Sequence, residues 1–170
     1  METLKIKNIC KKIFSGGTPS TQNKSFWMGS NNWLSSGETR NNYITKTEKH
    51  ISNEAISNSS TKLSIKNDIL IASAGQGTTR GQTSFNLINT YINQSIICLR
   101  VNELIVVPKF LFYNLKSRYE EIRGLSDANS IRGSITTKLI GEMSISVPDI
   151  ETQQHIVDIV SKEMNYCETI

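Results

Sequence analysis

The segment Gly75-Gln76-Gly77-Thr78-Thr79-Arg80-Gly81 holds the residues best suited to meet a polyanion. Glycines let backbone amides approach phosphate closely, and an arginine can neutralise a phosphate or pair bidentately with guanine. The spacing is one residue too long for the GxGxxG of dinucleotide-binding folds, and no Lys-Ser or Lys-Thr closes it as in a nucleotide-binding P-loop. An apolar run, Ile69-Leu70-Ile71-Ala72, leads in, and Gln82-Thr83-Ser84-Phe85 leads out with strand rather than helix composition. A glycine hairpin presenting Gln76, Thr78, Thr79 and Arg80 fits that setting. A tight turn with a purely structural role fits it too.

The tools of catalysis are missing. Prolines stand only at Pro19, Pro108 and Pro148, so the Asn-Pro-Pro-Tyr and Asp-Pro-Pro-Tyr motifs of amino-methyltransferases are absent. Pro148-Asp149 with Glu151 has the beginnings of a nuclease carboxylate motif but lacks its closely following lysine, and Asp at a helix start reads as a cap. His50 and His155 are the only histidines, and neither has a second metal-type ligand at helical spacing. Cys10, Cys98 and Cys167 are odd in number, far apart and without a CxxC pair, which argues against a disulfide framework or zinc and suits a reducing cytoplasm. A Cys98–His50 nucleophile rests on nothing beyond the presence of both residues. The sequence therefore offers no catalytic residue and no metal site.

Charge is unevenly placed. The net +4 divides into +9 on residues 1–140 and −5 on residues 141–170, a basic body with an acidic tail. That division suits a polyanion on one part and a protein partner on the other. Ser, Thr and Asn make up 52 of the 170 residues, side chains that hydrogen-bond to phosphates and base edges, although AT-rich coding would also enrich Asn. No apolar run approaches the ~18 residues of a membrane span, and none follows Met1-Glu2-Thr3-Leu4-Lys5 as in a secretory signal, so a cytoplasmic protein is expected.

Several elements must position these residues. The spacing predicts strands at Trp33-Leu34, Ile69–Ala72, Thr83–Phe85, Thr90–Ile92, Ser95–Val101 and Met143–Val147. Helices are expected over Ser52–Ser59 with Ser52 as N-cap, from Pro108 through Ile122, over Thr136–Gly141, and from Asp149 onward. Leu4 to Phe14 mixes strand and helix spacing. In the last helix Ile150, Val157 and Met164 stand seven apart, Val160 and Cys167 each follow a member of that series by three, and Ile156 and Ile159 widen the stripe. This is a short heptad seam for a partner outside the chain, or the inner face of a helix packed on its own core.

Ser15-Gly16-Gly17-Thr18-Pro19-Ser20, then Phe26-Trp27-Met28-Gly29 and Trp33-Leu34-Ser35-Ser36-Gly37-Glu38, resembles the opening of the specificity subunits of type I restriction-modification enzymes. Ile51-Ser52 through Ser59-Ser60-Thr61-Lys62-Leu63 is similar to the helix that follows there, and Asn67-Asp68-Ile69-Leu70-Ile71-Ala72-Ser73 with Gly75, Gly77 and Gly81 to the strand and glycine loop. Asn93-Gln94-Ser95, Phe110-Leu111-Phe112-Tyr113-Asn114-Leu115 and Val147-Pro148-Asp149-Ile150-Glu151-Thr152-Gln153-Gln154 continue the likeness in order, the last resembling the start of the family's spacer helix. Asp149 replaces a second proline, and Gln153 stands where the family has a glutamate, which puts the family's glutamine at Gln154.

The resemblance implies a mixed α/β (α+β) domain, a twisted and mainly antiparallel sheet with short helices over residues 1–148, then the start of a long spacer helix at 149–170. It implies a non-catalytic reader of one half of a split target on double-stranded DNA. Partners would be modification subunits that methylate adenine with S-adenosylmethionine and restriction subunits that translocate and cut DNA, with ATP and magnesium also held by partners and no cofactor in this chain. A second copy or second domain would read the other half. Expected DNA contacts, all in polar loops, are Ser36, Glu38, Arg40, Lys46, Lys49, Ser73, Gln76, Thr78, Thr79, Arg80, Asn129 and Arg132; the helix interface would be Ile150, Val157, Val160, Met164 and Cys167. Other readings are the recognition domain of a fused restriction-methylation enzyme, or a small enzyme or carbohydrate-binding domain, the last two predicting no salt-dependent DNA binding. An RNA reader would be expected to display exposed aromatics that are not recognisable here.

Overall fold

In the computed structural model, which describes residues 1–126 and 133–168, the chain opens with β1 (Glu2–Lys5), the single turn α1 (Ile6–Ile9) and β2 (Cys10–Ser15). The mixed spacing of Leu4 to Phe14 has its cause here: one turn buries both Ile6 and Ile9 between strands that join different sheets. A 3-10 turn at Lys24–Trp27 precedes β3 (Asn31–Leu34), and a second at Ser36–Arg40 precedes β4 (Tyr43–Ile44). β5 (Lys49–Ile51) leads into α2 (Asn53–Ser57), where Ser52 caps as expected, its Oγ accepting the Ala55 N–H at 3.1 Å. Next come β6 (Lys62–Ser64), β7 (Ile69–Ala72), β8 (Thr83–Asn86), β9 (Thr90–Ile92) and β10 (Ile96–Val101). α3 (Pro108–Ser117) starts on its proline; the backbone breaks at Arg118, and α4 (Tyr119–Gly124) continues. α5 (Thr137–Gly141), β11 (Ser144–Val147) and α6 (Ile150–Glu168) complete the chain.

The strands form a five-stranded sheet in the order β2-β10-β7-β8-β4, a four-stranded sheet in the order β5-β3-β9-β6, and a β1-β11 ribbon. Pairing is antiparallel apart from β3–β9 and β4–β8. Side-chain alternation sets the layers. In β7, Ile69 and Ile71 face a core with α3 and α6, while Leu70 faces the second sheet; in β10, Ile97, Leu99 and Val101 take the first side and Ile96 and Cys98 the other. A strand buried on both faces has to be apolar throughout, which is why Ile69–Ala72 reads as an unbroken hydrophobic run. The far side of the four-stranded sheet is covered by the first 3-10 turn and α2, which bury Phe26, Trp33, Ile51 and Ala55.

α6 belongs to the first core. Val157 is buried, and Ile156, Val160 and Met164 pack on the same cluster, while Ile159 points outward and Ile150 is 42% exposed. The expected partner-facing seam is thus corrected: Val157, Val160 and Met164 lie against their own domain, and the side chain of Cys167 lies outside the described residues. A core-facing helix and a coiled coil both repeat near 3.5 residues, so one stripe serves either. Gln153 fixes the helix in place. Fully buried, its Oε1 accepts the Val107 N–H at 2.8 Å, and its Nε2 donates to the carbonyls of Ile105 (3.0 Å) and Pro148 (2.8 Å). The resemblance had put the family's glutamine at Gln154, but Gln154 is exposed and bonds only Asp158 among the hydrogen bonds described.

Candidate nucleic-acid interface

Backbone pairing brings five segments to one end of the five-stranded sheet. β7 finishes there at Ala72 and β8 begins there at Thr83, so loop 73–82 spans the edge. The registers Ile96↔Ala72 and Ile97↔Ser15 add Asn93-Gln94-Ser95 and Ser15-Gly16-Gly17. The parallel pairs add the second 3-10 turn, since Leu34 ends beside Ile92 and Tyr43 lies opposite Phe85. The fifth segment is 133–135, whose Ile135 N–H donates to the Ser73 carbonyl at 2.8 Å. Buried hydrogen bonds knit the segments: Ser84 Oγ donates to the carbonyls of Thr39 (2.9 Å) and Asn41 (2.6 Å), and the Ser73 N–H donates to Ser95 (2.9 Å). Gly16 permits the tightest crossing, because a Cβ there would stand 1.9 Å from the Ile92 carbonyl oxygen.

The glycine hairpin is real. Ala72 N–H donates to the Gln82 carbonyl and Gly81 N–H to the Ala72 carbonyl, each at 2.9 Å. Gly75, Gly77 and Gly81 all have positive φ, at 124°, 63° and 92°. Gln76 and Thr78 are exposed at its tip, whereas Thr79 and Arg80 are half-buried. Arg80 Nη1 donates to the Gly133 carbonyl at 3.1 Å. Ser73 is buried, and its backbone holds the neighbouring segments.

Around this end the expected residues take different parts. Arg40, Lys46 and Lys49 are exposed, and Ser36 is half-buried. Glu38 is only 4% exposed: its carboxylate accepts the Ser35 N–H at 2.9 Å and the Glu48 N–H at 2.8 Å, tying the 3-10 turn to the following loop. It frames the surface instead of reaching out from it, a correction to its reading as a contact. The signal was present, because Ser35-x-x-Glu38 is the spacing of a capping box. Arg40 pairs with Glu48 at 2.9 Å and lines a cleft of about 430 Å³ with Lys46 and Thr47. Lys49 lies in a neighbouring cleft of about 510 Å³ with Thr18, Thr21, Trp27, Trp33 and His50. Its Nζ is 5.8 and 5.9 Å from the two indole centroids, which meet edge to face at 4.8 Å. Asn129 and Arg132 lie outside the described residues.

Residues 1–170 match, over their whole length, the family model described as the type I restriction modification DNA specificity domain. The chain belongs to that family. Among curated relatives of this specificity domain, it is 31% identical over 154 residues to the EcoR124I/EcoR124II specificity subunit of Escherichia coli, covering 89% of this chain and 38% of that protein. It is 27% identical over 165 residues to the MjaIX specificity subunit of Methanocaldococcus jannaschii, covering 92% and 36%. The specificity domain thus spans between a third and two fifths of those relatives' lengths. Its fold is shared with the HsdS subunit of Thermoanaerobacter tengcongensis, at a TM-score of 0.73 and 17% identity, covering 99% of this chain and 38% of the other.

Elsewhere in the specificity domain, Cys98 and His50 are not brought together. Cys98 is fully buried with its Sγ 3.3 Å from Asp68 Oδ2, and burial followed by the Asp68 charge pushes its thiol well above the ordinary range. Asp68 in turn receives Arg100 at 3.0 and 2.8 Å, a bidentate pair that joins β10 to the loop before β7. Among the described residues no group of three His, Cys, Asp or Glu could hold a metal, and no helix is long and apolar enough to cross a membrane. Sequence reasoning missed Tyr119 and Arg123, which reach the glycine loop from α4, and Lys116 of α3, which reaches the first residue of β8. Nothing in their local pattern announces it, since the approach depends on how the helices cross β8. Trp27, Thr18, Thr21 and His50 were missed as cleft residues for the same reason.

Proposed function

We propose that this chain reads one half of a split target on double-stranded DNA, using the end of the five-stranded sheet at which loop 73–82, the Ser36–Arg40 turn and the Asn93–Ser95 link converge. The observation that supports it most is this convergence, which sets the exposed Arg40, Gln76 and Thr78 on a buried hydrogen-bonded framework, with Lys46 and Lys49 in the clefts beside Arg40. Cations there would release counterions from DNA, and short polar side chains on a rigid loop suit base edges. Arg80 is the candidate for a base or phosphate at the hairpin. The chain brings no cofactor and performs no chemistry of its own. Modification subunits carrying S-adenosylmethionine and restriction subunits using ATP and magnesium act where it docks, and α6 is the start of the helix that links it to a second recognition domain.

The reading is tested by duplex binding across a salt series. Affinity falls steeply as salt rises, and Lys46→Met lowers the slope of log K against log salt by about 1 if it meets a phosphate. Binding that ignores salt, or no binding to any duplex at low salt, sinks the proposal. A purified sample that methylates DNA unaided would refute the non-catalytic part.

A further inference from the structure

Three side chains on successive turns of α3 and α4 grip the glycine hairpin, and all three do so through its backbone. Tyr119 Oη donates to the Thr78 carbonyl at 2.7 Å. Arg123 Nη1 donates to the Arg80 carbonyl at 2.6 Å and to Tyr119 Oη at 3.1 Å, with its guanidinium carbon 5.4 Å from the Tyr119 ring centroid. Lys116 Nζ donates to the Thr83 carbonyl at 3.3 Å, at the foot of the returning strand. The packing is equally close: a Cβ on Gly81 would lie 2.7 Å from Arg123 Cγ and 3.4 Å from the Tyr119 ring, at a φ of +92° that already favours glycine. Arg123 and Tyr119 also support each other, so the loop rests on a coupled pair and not on two separate contacts.

We propose that Tyr119 and Arg123, assisted by Lys116, are positioning residues for sequence reading: they hold loop 73–82 by its carbonyls and by packing on Gly81, and leave the side chains at its tip free to vary. This rests on the DNA-reading function proposed above. A side chain that discriminates bases must be held to a fraction of an ångström, because bidentate pairing to a base edge depends on direction as well as distance. A two-strand hairpin with three positive-φ glycines does not hold itself that well. Grip through carbonyls supplies the rigidity without reference to which residues occupy positions 76 and 78. The loop's specificity is therefore exchangeable while its frame stays constant.

The test captures bound members of a randomised duplex pool with the wild-type chain, Tyr119→Phe, Arg123→Met and Arg123→Lys, and sequences what is enriched. The wild type enriches a motif. Tyr119→Phe and Arg123→Met relax at least one position of it, discrimination there falling about tenfold, the size of a lost base contact. Affinity for unrelated duplex and its salt slope stay at wild-type values, since no phosphate contact is removed. Arg123→Lys, which keeps a donor on a long stem, recovers part of the discrimination. Gln76→Ala changes the motif and leaves the melting temperature as it was. Tyr119→Phe removes a single oxygen, so it remains folded and readable even if Arg123→Met does not. A motif kept intact in Tyr119→Phe and in folded Arg123→Met overturns the clamp and leaves DNA reading standing. Relaxation matched by an equal loss of affinity for unrelated duplex also overturns it, as general damage. A wild-type chain that enriches nothing overturns the parent reading and this inference with it.

Discussion

Gln153 and Gln154 are neighbours of one type, and only the phase of α6 against the core separates them. That phase is a tertiary fact; the letters alone left the two interchangeable, and the resemblance chose the wrong one. The consequence is measurable. Gln153→Leu strands a buried N–H and two carbonyls and lowers stability by about 2–3 kcal/mol in urea melts, whereas Gln154→Leu stays within about 0.5 kcal/mol of wild type. Equal effects from both would refute the assignment. Glu38 is the converse case, because its capping-box spacing lies in the sequence itself. Thiol chemistry offers another check at this scale. Burial pushes Cys10 up to about 12 and Cys98 well above its ordinary value, so neither alkylates in the native protein at pH 8, while both do after denaturation. Rapid modification of the native Cys98 peptide, followed by mass spectrometry, would contradict the buried Asp68 neighbourhood.

Among the elements, the short apolar strands, the proline-led helix and the Ser52 and Asp149 caps were all legible, since propensity and capping act within a few residues. The parallel pairs β3–β9 and β4–β8 were not, because each joins residues more than forty apart and leaves no local trace. Those pairs are what gather the candidate surface, so the loops could be named from sequence but not their meeting. α6 shows a second limit, one stripe with two meanings. Val157→Asp places an unpaired charge in the core and costs about 3 kcal/mol or more, while Ile159→Asp, on the outer face, changes little. A fully folded Val157→Asp would restore the partner-facing seam. The helix start adds a pH signature. The Thr152 N–H, then its hydroxyl, hold the Asp149 carboxyl below its ordinary value, so the cap stabilises above 3.8 and is lost as pH falls through the lowered value. Thermal melts of wild type and Asp149→Ala therefore differ most near neutrality and converge in acid. A constant gap down to acid pH would exclude the cap as its source.

For the whole molecule, the sign of the charge on each part was legible from composition, but the purpose of the acidic tail was not. With Val157, Val160 and Met164 laid on the core, the described part of α6 offers little apolar surface to a second copy. Sedimentation at low micromolar concentration without DNA should give the mass of one chain; a stable dimer there would point to a surface other than the heptad stripe. The β1–β11 ribbon bears on something different. Leu4 lies opposite Ile145, and α6 begins three residues after β11 ends, so the first strand and the final helix meet at one corner, away from the glycine hairpin in sequence and in sheet. A change that parts that corner, such as Leu4→Asp, would loosen the ribbon and the start of α6 while every strand of the five-stranded sheet kept its neighbour.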